Sequence, residues 1–213
     1  MDLKFEVLDV LPEKFAATPV LRFRLLVTEA TGETVHAMAL KCQVRIEPQR
    51  RHYDGAEQAG LAELFGSAER WGETLKPFLW TQTSTMVPGF TGRVEIELPV
   101  ACTYDFEVTA SKYLHGLHDG EIPLVLLFSG TVFTRGTSGF GVEQIPWHLE
   151  ASHRLPVRVW RQLMDVYFPN SGWIRVDREC LDRLVRFKAE RALPSWELAF
   201  AALLPIPEGE ATA

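Results

Sequence analysis

Apolar residues change their period near Pro146. Before it they alternate with polar ones: Leu3, Phe5 and Val7 among Asp2, Lys4 and Glu6, then Leu21, Phe23, Leu25 and Val27 around Arg22 and Arg24. Val94, Ile96 and Leu98 repeat the pattern among Arg93, Glu95 and Glu97. A spacing of two puts every second side chain on one face, so these segments predict strands with one wet face. After Pro146 the apolar positions recur at three and four, as in Trp160, Leu163, Met164 and Tyr167, which predicts helix.

The same reading fills in the remaining elements. Val35 to Ile46 predicts a strand that pairs with the one before it through the Glu29–Glu33 turn. Residues 57–71 predict a weak helix, with Leu61, Leu64, Phe65 and Trp71 as its stripe and Gly60, Gly66 and Gly72 as interruptions. Phe78 to Thr85 and Tyr104 to Thr109 read as strands. Ile122 to Phe133 is apolar at nearly every position, the pattern of a strand in mid-sheet with both faces covered, and Phe140 to Ile145 can pair back on it. A first helix starts near Pro156, Asp177 caps a second, and Ser195 caps a third over Trp196 to Leu204. The expected fold class is therefore α+β: an antiparallel sheet or sandwich body of about 7–9 strands with two to three C-terminal helices packed on it. Residues 1–204 are expected to form a single domain, β-rich over 1–146 and helical over 154–204, and 205–213 a flexible tail.

Composition narrows the class of function. The chain has 213 residues, 46% of them hydrophobic, and a net charge of −6. That length allows one sizeable core, and an acidic balance without a basic tail argues against nucleic-acid binding. No apolar run is long enough to span a bilayer and the N-terminus carries no secretory h-region, so the expected location is the cytoplasm. Three scattered cysteines do not make a disulfide framework.

Candidate chemistry is sparse. His115 and His118 stand three apart, a spacing that can begin a metal site, with Cys102 as a third ligand. Cys42 and Cys180 fall on apolar stripes and read as small hydrophobes. Arg50 and Arg51, with His52, form the densest basic spot and fit a phosphate or an acidic partner segment. The loop from Arg135 to Gly139 lacks the lysine of a phosphate loop, and neither Ser129 nor Ser138 sits in a nucleophile elbow. Among six tryptophans, Trp147 and Trp173 follow turn residues and are the better candidates for anchoring a protein partner. No cofactor is expected.

Several segments together carry a resemblance: Ala39 to Arg51, Lys76 to Trp80, Thr85 to Phe90, Leu127 to Phe133, Gln144 to Trp147 and Tyr167 to Trp173. They resemble an uncharacterised, mainly actinobacterial family of proteins of about this length. Genes of that family often lie beside those of nickel–iron hydrogenases. The resemblance implies an accessory role around such an enzyme, with hydrogenase subunits or maturation proteins as partners, and it brings no catalytic residues with it. The expected function is a non-enzymatic accessory, binding or assembly protein, as a monomer or a homodimer. The alternatives are a metal or redox accessory using His115, His118 and Cys102, and a small-molecule enzyme with a pocket under the Arg135–Phe140 loop.

Overall fold

Alternation in the first hundred residues becomes two antiparallel sheets. A computed structural model of the chain describes residues 1–103, 105, 108–136, 139–171 and 174–204. The chain divides into two compact units, Met1–Trp173 and Ile174–Ala213.

In the first unit, β1 (Leu3–Pro12), β2 (Val20–Glu29) and β6 (Arg93–Ala101) make a three-stranded sheet in the order β1-β2-β6. The second sheet is built on β3 (Thr34–Ile46) and β7 (Glu121–Gly136), which pair with each other along most of their length. On the far side of β3 lie β4 (Phe78–Val87) and the short β5 (Phe90–Thr91). On the far side of β7, β8 (Gly139–Gln144) pairs with its C-terminal half and β9 (Glu150–Pro156) with its N-terminal half. Strands therefore continue past Pro146: β9 extends the strand region to residue 156, and the C-terminal helices begin at 157.

The buried alternate residues of both sheets face each other. Phe5 of β1 stacks on Phe128 of β7 with ring centres 4.2 Å apart, and Phe23 of β2 meets Trp80 of β4 edge-on at 6.5 Å. Both sheets thereby remove their apolar faces from water, at roughly 25 cal/mol per Å² of surface buried. β7 crosses β3 very closely at Gly130. Its φ is +135°, and a β-carbon there would collide with the carbonyl of Ala39, so only glycine fits.

Helices close the ends of the sandwich. The 57–71 segment is interrupted as its glycines predict, into α1 (Gly55–Gly60), α2 (Ala62–Phe65), a 3-10 turn and α3 (Trp71–Thr74). Phe65, Trp71, Phe78 and Tyr113 gather there in edge-to-face contacts. Tyr113 comes from α4 (Thr109–His115). The strand expected over Tyr104–Thr109 is thus replaced at Thr109 by helix, and Tyr104, Phe106 and Glu107 lie outside the described residues. Helix α5 (Val157–Tyr167) buries Val157, Trp160, Leu163 and Met164 against β1, β2 and β9. Its Tyr167 hydroxyl donates to the carbonyl of Ala16 at 2.7 Å.

Two further expectations need correction. β2 and β3 do not pair across the 29–33 turn: β2 lies between β1 and β6, and β3 crosses into the other sheet, between β4 and β7. The apolar run in β7 does lie mid-sheet, but only one of its faces is fully covered. Leu124, Leu126 and Phe128 are buried, whereas Val125, Leu127 and Phe133 on the opposite face are partly open to solvent.

The second unit is described by itself. α6 (Arg178–Glu190) and α7 (Trp196–Leu203) are capped as expected, by the carboxylate of Asp177 and the hydroxyl of Ser195. A cleft of about 540 Å³ between them is lined by Cys180, Leu184, Phe187 and Leu203. Residues 205–213, expected to be a tail, lie outside the described residues.

Candidate functional site

Arg50 and Arg51 follow β3 but do different things. Arg50 ends a 3-10 turn and pairs in solvent with Glu47 at 2.9 Å. Arg51 turns inward, with a side chain only 7% exposed, and meets the 4% exposed Glu57 of α1. One of its terminal nitrogens donates to both carboxylate oxygens of Glu57 at 2.8 Å and to the carbonyl of Asp119 at 3.1 Å. Its Nε donates to the carbonyl of His52, and the guanidinium stands 4.8 Å over the ring of Tyr53. Glu57 also accepts from the backbone N–H of His118 at 2.8 Å. The pair thus ties the 51–57 segment to the 117–119 turn. A charge pair this deep persists because both Glu57 oxygens and the Nε and Nη2 of Arg51 are engaged, although Arg51 Nη1 is buried without a hydrogen-bond partner among the described residues.

Beside it lies a second buried polar link. The Tyr53 hydroxyl donates to the carbonyl of Pro48 at 2.7 Å, so the 2.8 Å contact with Tyr113 must have Tyr113 as donor. Burial pushes the Tyr53 phenol up to about 12 and raises that of Tyr113 as well. Both stay neutral and act as spacers between helix and loop.

His118 joins partners other than those its spacing implied. Among the described residues, the group of metal-ligating types whose donor atoms come close together is Asp54, Glu57 and His118, all within 4.8 Å of one another. Asp54 is the N-cap of α1 and accepts from the N–H of Glu57, while its other oxygen lies 3.7 Å from His118 Nδ1. Glu57 is already paired with Arg51, which supplies the positive charge a bound cation would bring. The chemistry of this donor set is that of a latch between two loops.

The set Cys102, His115 and His118 is not among the groups whose donor atoms converge. Cys102 is buried beyond β6, donates its thiol to the carbonyl of Val100, and has its pKa pushed up to about 12 by burial. That disfavours the thiolate a metal needs. His115 ends α4 with its ring edge-on to Trp160 at 4.8 Å. Burial first, then the nearby Arg161 charge, lowers its pKa to about 4, so the imidazole is neutral at ordinary pH.

The second candidate region is the outer face of the larger sheet. Strand pairing sets two rows across it: Met86, Ala39, Thr131 and Gln144, and beside them Ala37, Phe133 and Val142. At the β8 end, Phe140 stands against Arg135 and His36. Phe140 is 70% exposed, Val142 62% and Met86 63%. Trp147 sits in the turn between β8 and β9, 88% exposed, with His148 edge-on to its ring. Trp173 lies outside the described residues. The sequence marks Trp147 through its proline turn. It marks Phe140 and Val142 only as alternation, with no sign of which face they occupy.

Two further clefts of this unit are lined mainly by polar side chains. One of about 310 Å³ lies on the same outer face and is lined by Lys41, Gln43, Gln82, Ser84 and Ser129. Another of about 330 Å³ includes Arg50, Ser152, His153 and Arg154. There Arg50 is paired with Glu47, and Arg154 lies 3.8 Å from Glu121.

The sequence profile of a family of unknown function, DUF6084, matches residues 1–212 of this chain. No curated protein matches it at a significant level. Among solved structures, a selenomethionine-labelled β-glucosidase from Kluyveromyces marxianus is similar over 72% of this chain and 15% of its own, at 10% identity and a TM-score of 0.25. A likeness that weak carries no argument about fold or activity.

Proposed function

The chain belongs to DUF6084, a family of unknown function, and we propose that it works as a non-enzymatic binding or assembly protein. The partner surface is the outer face of the β4-β3-β7-β8 sheet with Trp147 at its margin. One observation carries this reading: a rigid sheet face presents Met86, Phe133, Phe140 and Val142 without a covering element among the described residues, next to a nearly free tryptophan. Exposed apolar side chains gathered on one face, with a tryptophan at the rim, are what protein interfaces use. The strongest charged pair, Arg51 with Glu57, is committed to holding two loops together. The resemblance of the sequence to a hydrogenase-associated family makes nickel–iron hydrogenase subunits and their maturation proteins the first partners to test, in the cytoplasm.

The test is co-purification from a host that makes the hydrogenase, comparing the wild type with a Met86→Lys/Trp147→Ala double variant. The wild type recovers hydrogenase or maturation proteins in near-equal amount, and the variant loses them at least about tenfold, as expected for removal of interface anchors. Recovery of the wild type alone, or equal recovery with both proteins, overturns the proposal.

A further inference from the structure

Strand β8 leaves an open edge. The backbone N–H of Ile145 donates to the carbonyl of Gly130 at 3.0 Å, and the pairing from Thr131↔Gln144 to Gly136↔Gly139 runs without a shift. Antiparallel ladders alternate, so Glu143, Gly141 and Gly139 bond inward to β7, and Phe140, Val142 and Gln144 aim their N–H and C=O groups away from it. Other outer strands are guarded: β1 carries a bulge at Val7/Asp9 and packs along β9, and β4 packs along β6. β8 has neither device, and it carries no lysine and no proline. No strand among the described residues pairs on its outer side. An exposed, unguarded edge is a template for another strand.

We propose that β8 pairs antiparallel with β8 of a second copy of this chain, about a twofold axis at Gly141. The outward-bonding residues can only meet each other, and the registers that pair at least two of them in each copy are centred on 141, 142 or 143. Centring on Glu143 sets two carboxylates directly opposite, which is unfavourable. Centring on Val142 places Phe140 against Gln144. Centring on Gly141 places Phe140 of each copy opposite Val142 of the other and sets Glu143 against Gly139, so apolar meets apolar and no like charges face. The row Ala37, Phe133, Val142 then continues into Phe140 and Arg135 of the second copy, doubling the apolar outer face. Gly141 is also close to its neighbour across the pair: a β-carbon there would lie 2.5 Å from Thr134 Oγ1, so a larger residue would require the threonine side chain to turn.

A six-residue edge covers less than the roughly 800 Å² per partner of stable complexes, so the dimer forms reversibly at micromolar concentration. Sedimentation velocity on the full chain from about 1 to about 200 µM therefore spans the transition. The expected mass rises from 24.1 kDa toward twice that value. Val142→Pro removes an N–H that points away from β7, and proline is tolerated at such edge positions, so this variant stays monomeric. Val142→Lys stays monomeric as well, with an unchanged circular dichroism spectrum, and decides the matter if the proline variant fails to fold. In a Cys180→Ser background, chains carrying Phe140→Cys and Val142→Cys form a mixed disulfide in preference to either self-disulfide. A wild type that stays monomeric throughout, a dimer that survives both Val142 variants, or a dominant Val142→Cys self-disulfide overturns the inference. The Met86→Lys/Trp147→Ala variant leaves the β8 edge intact and remains dimeric, so loss of partner capture and loss of dimerisation are read separately.

Discussion

The two outer faces of the sandwich solve the problem of facing water differently. On the three-stranded sheet, Arg24 pairs with Glu95 at 2.8 Å, and Arg22 reaches both Glu97 and Glu13. Charges opposite in sign meet diagonally across β2 and β6, so the polar positions of this face are largely charge-paired. On the larger sheet, none of the ion pairs among the described residues joins β3, β4, β7 and β8 to one another. Two of its rows are built from alanine, methionine, phenylalanine and valine with Thr131 and Gln144, beside a polar stretch of Lys41, Gln43, Gln82, Ser84 and Ser129. The same alternation rule thus builds a charge-paired face on one side and a face with several exposed apolar side chains on the other. What differs is the residue type at the polar positions.

That contrast can be tested by substitution. The largest effect comes from the core that both faces share. Phe128→Ala removes the stack on Phe5 and costs about 3–5 kcal/mol, and urea unfolding followed by fluorescence and by circular dichroism gives coincident curves because the sheets unfold as one. At the end of the sandwich, Glu57→Gln leaves the Arg51 charge buried without its counter-ion and lowers stability by about 3 kcal/mol in the same measurement. On the charged face, Arg24→Ala lowers stability only slightly, less still in high salt, and leaves partner capture unchanged. On the apolar face, Met86→Lys changes stability by less than about 0.5 kcal/mol yet abolishes capture. If Arg24→Ala lost the partner and Met86→Lys kept it, the assignment of the two faces would be reversed.

Acid sharpens the comparison at two sites. The Thr31 hydroxyl first, then the backbone N–H groups of Asp2 and Thr31, hold the Glu29 carboxyl down to about 2 from its usual 4.5. Its contribution is fully present above 4.5 and is lost as the pH falls toward 2, so Glu29→Gln flattens that limb of a stability–pH curve. His115 is neutral when folded, and unfolding frees it to take a proton. Its contribution is present above 6.5 and is lost as the pH falls toward 4, so His115→Gln flattens the window between those values.

Much of this architecture is legible in the sequence. Alternation places β1, β2, β3 and β6, and the caps Asp177 and Ser195 mark α6 and α7. Alternation in one strand cannot say which strand lies beside it, so the order β1-β2-β6 and the apolar rows of the outer face appear only once registers are fixed. Thr109 is β-prone by type, but α4 is held by Tyr113 and Leu114 inserting into the core, and packing overrides propensity. The Arg51–Glu57 latch is illegible for a similar reason. Nothing in a loop arginine shows that it turns inward, and its third attachment at Asp119 is 68 residues away.

The pairing of β2 with β6 has a consequence for how the protein is made. Arg22 and its cross-strand partner Glu97 are 75 residues apart. At a synthesis rate of about 5–20 residues per second, the edge of β2 waits on the order of 4–15 seconds for its neighbour to leave the ribosome. The β1–β2 hairpin spends that interval with its buried face of Phe5, Phe23 and Leu25 uncovered, in the period when a nascent chain most needs a chaperone's shelter.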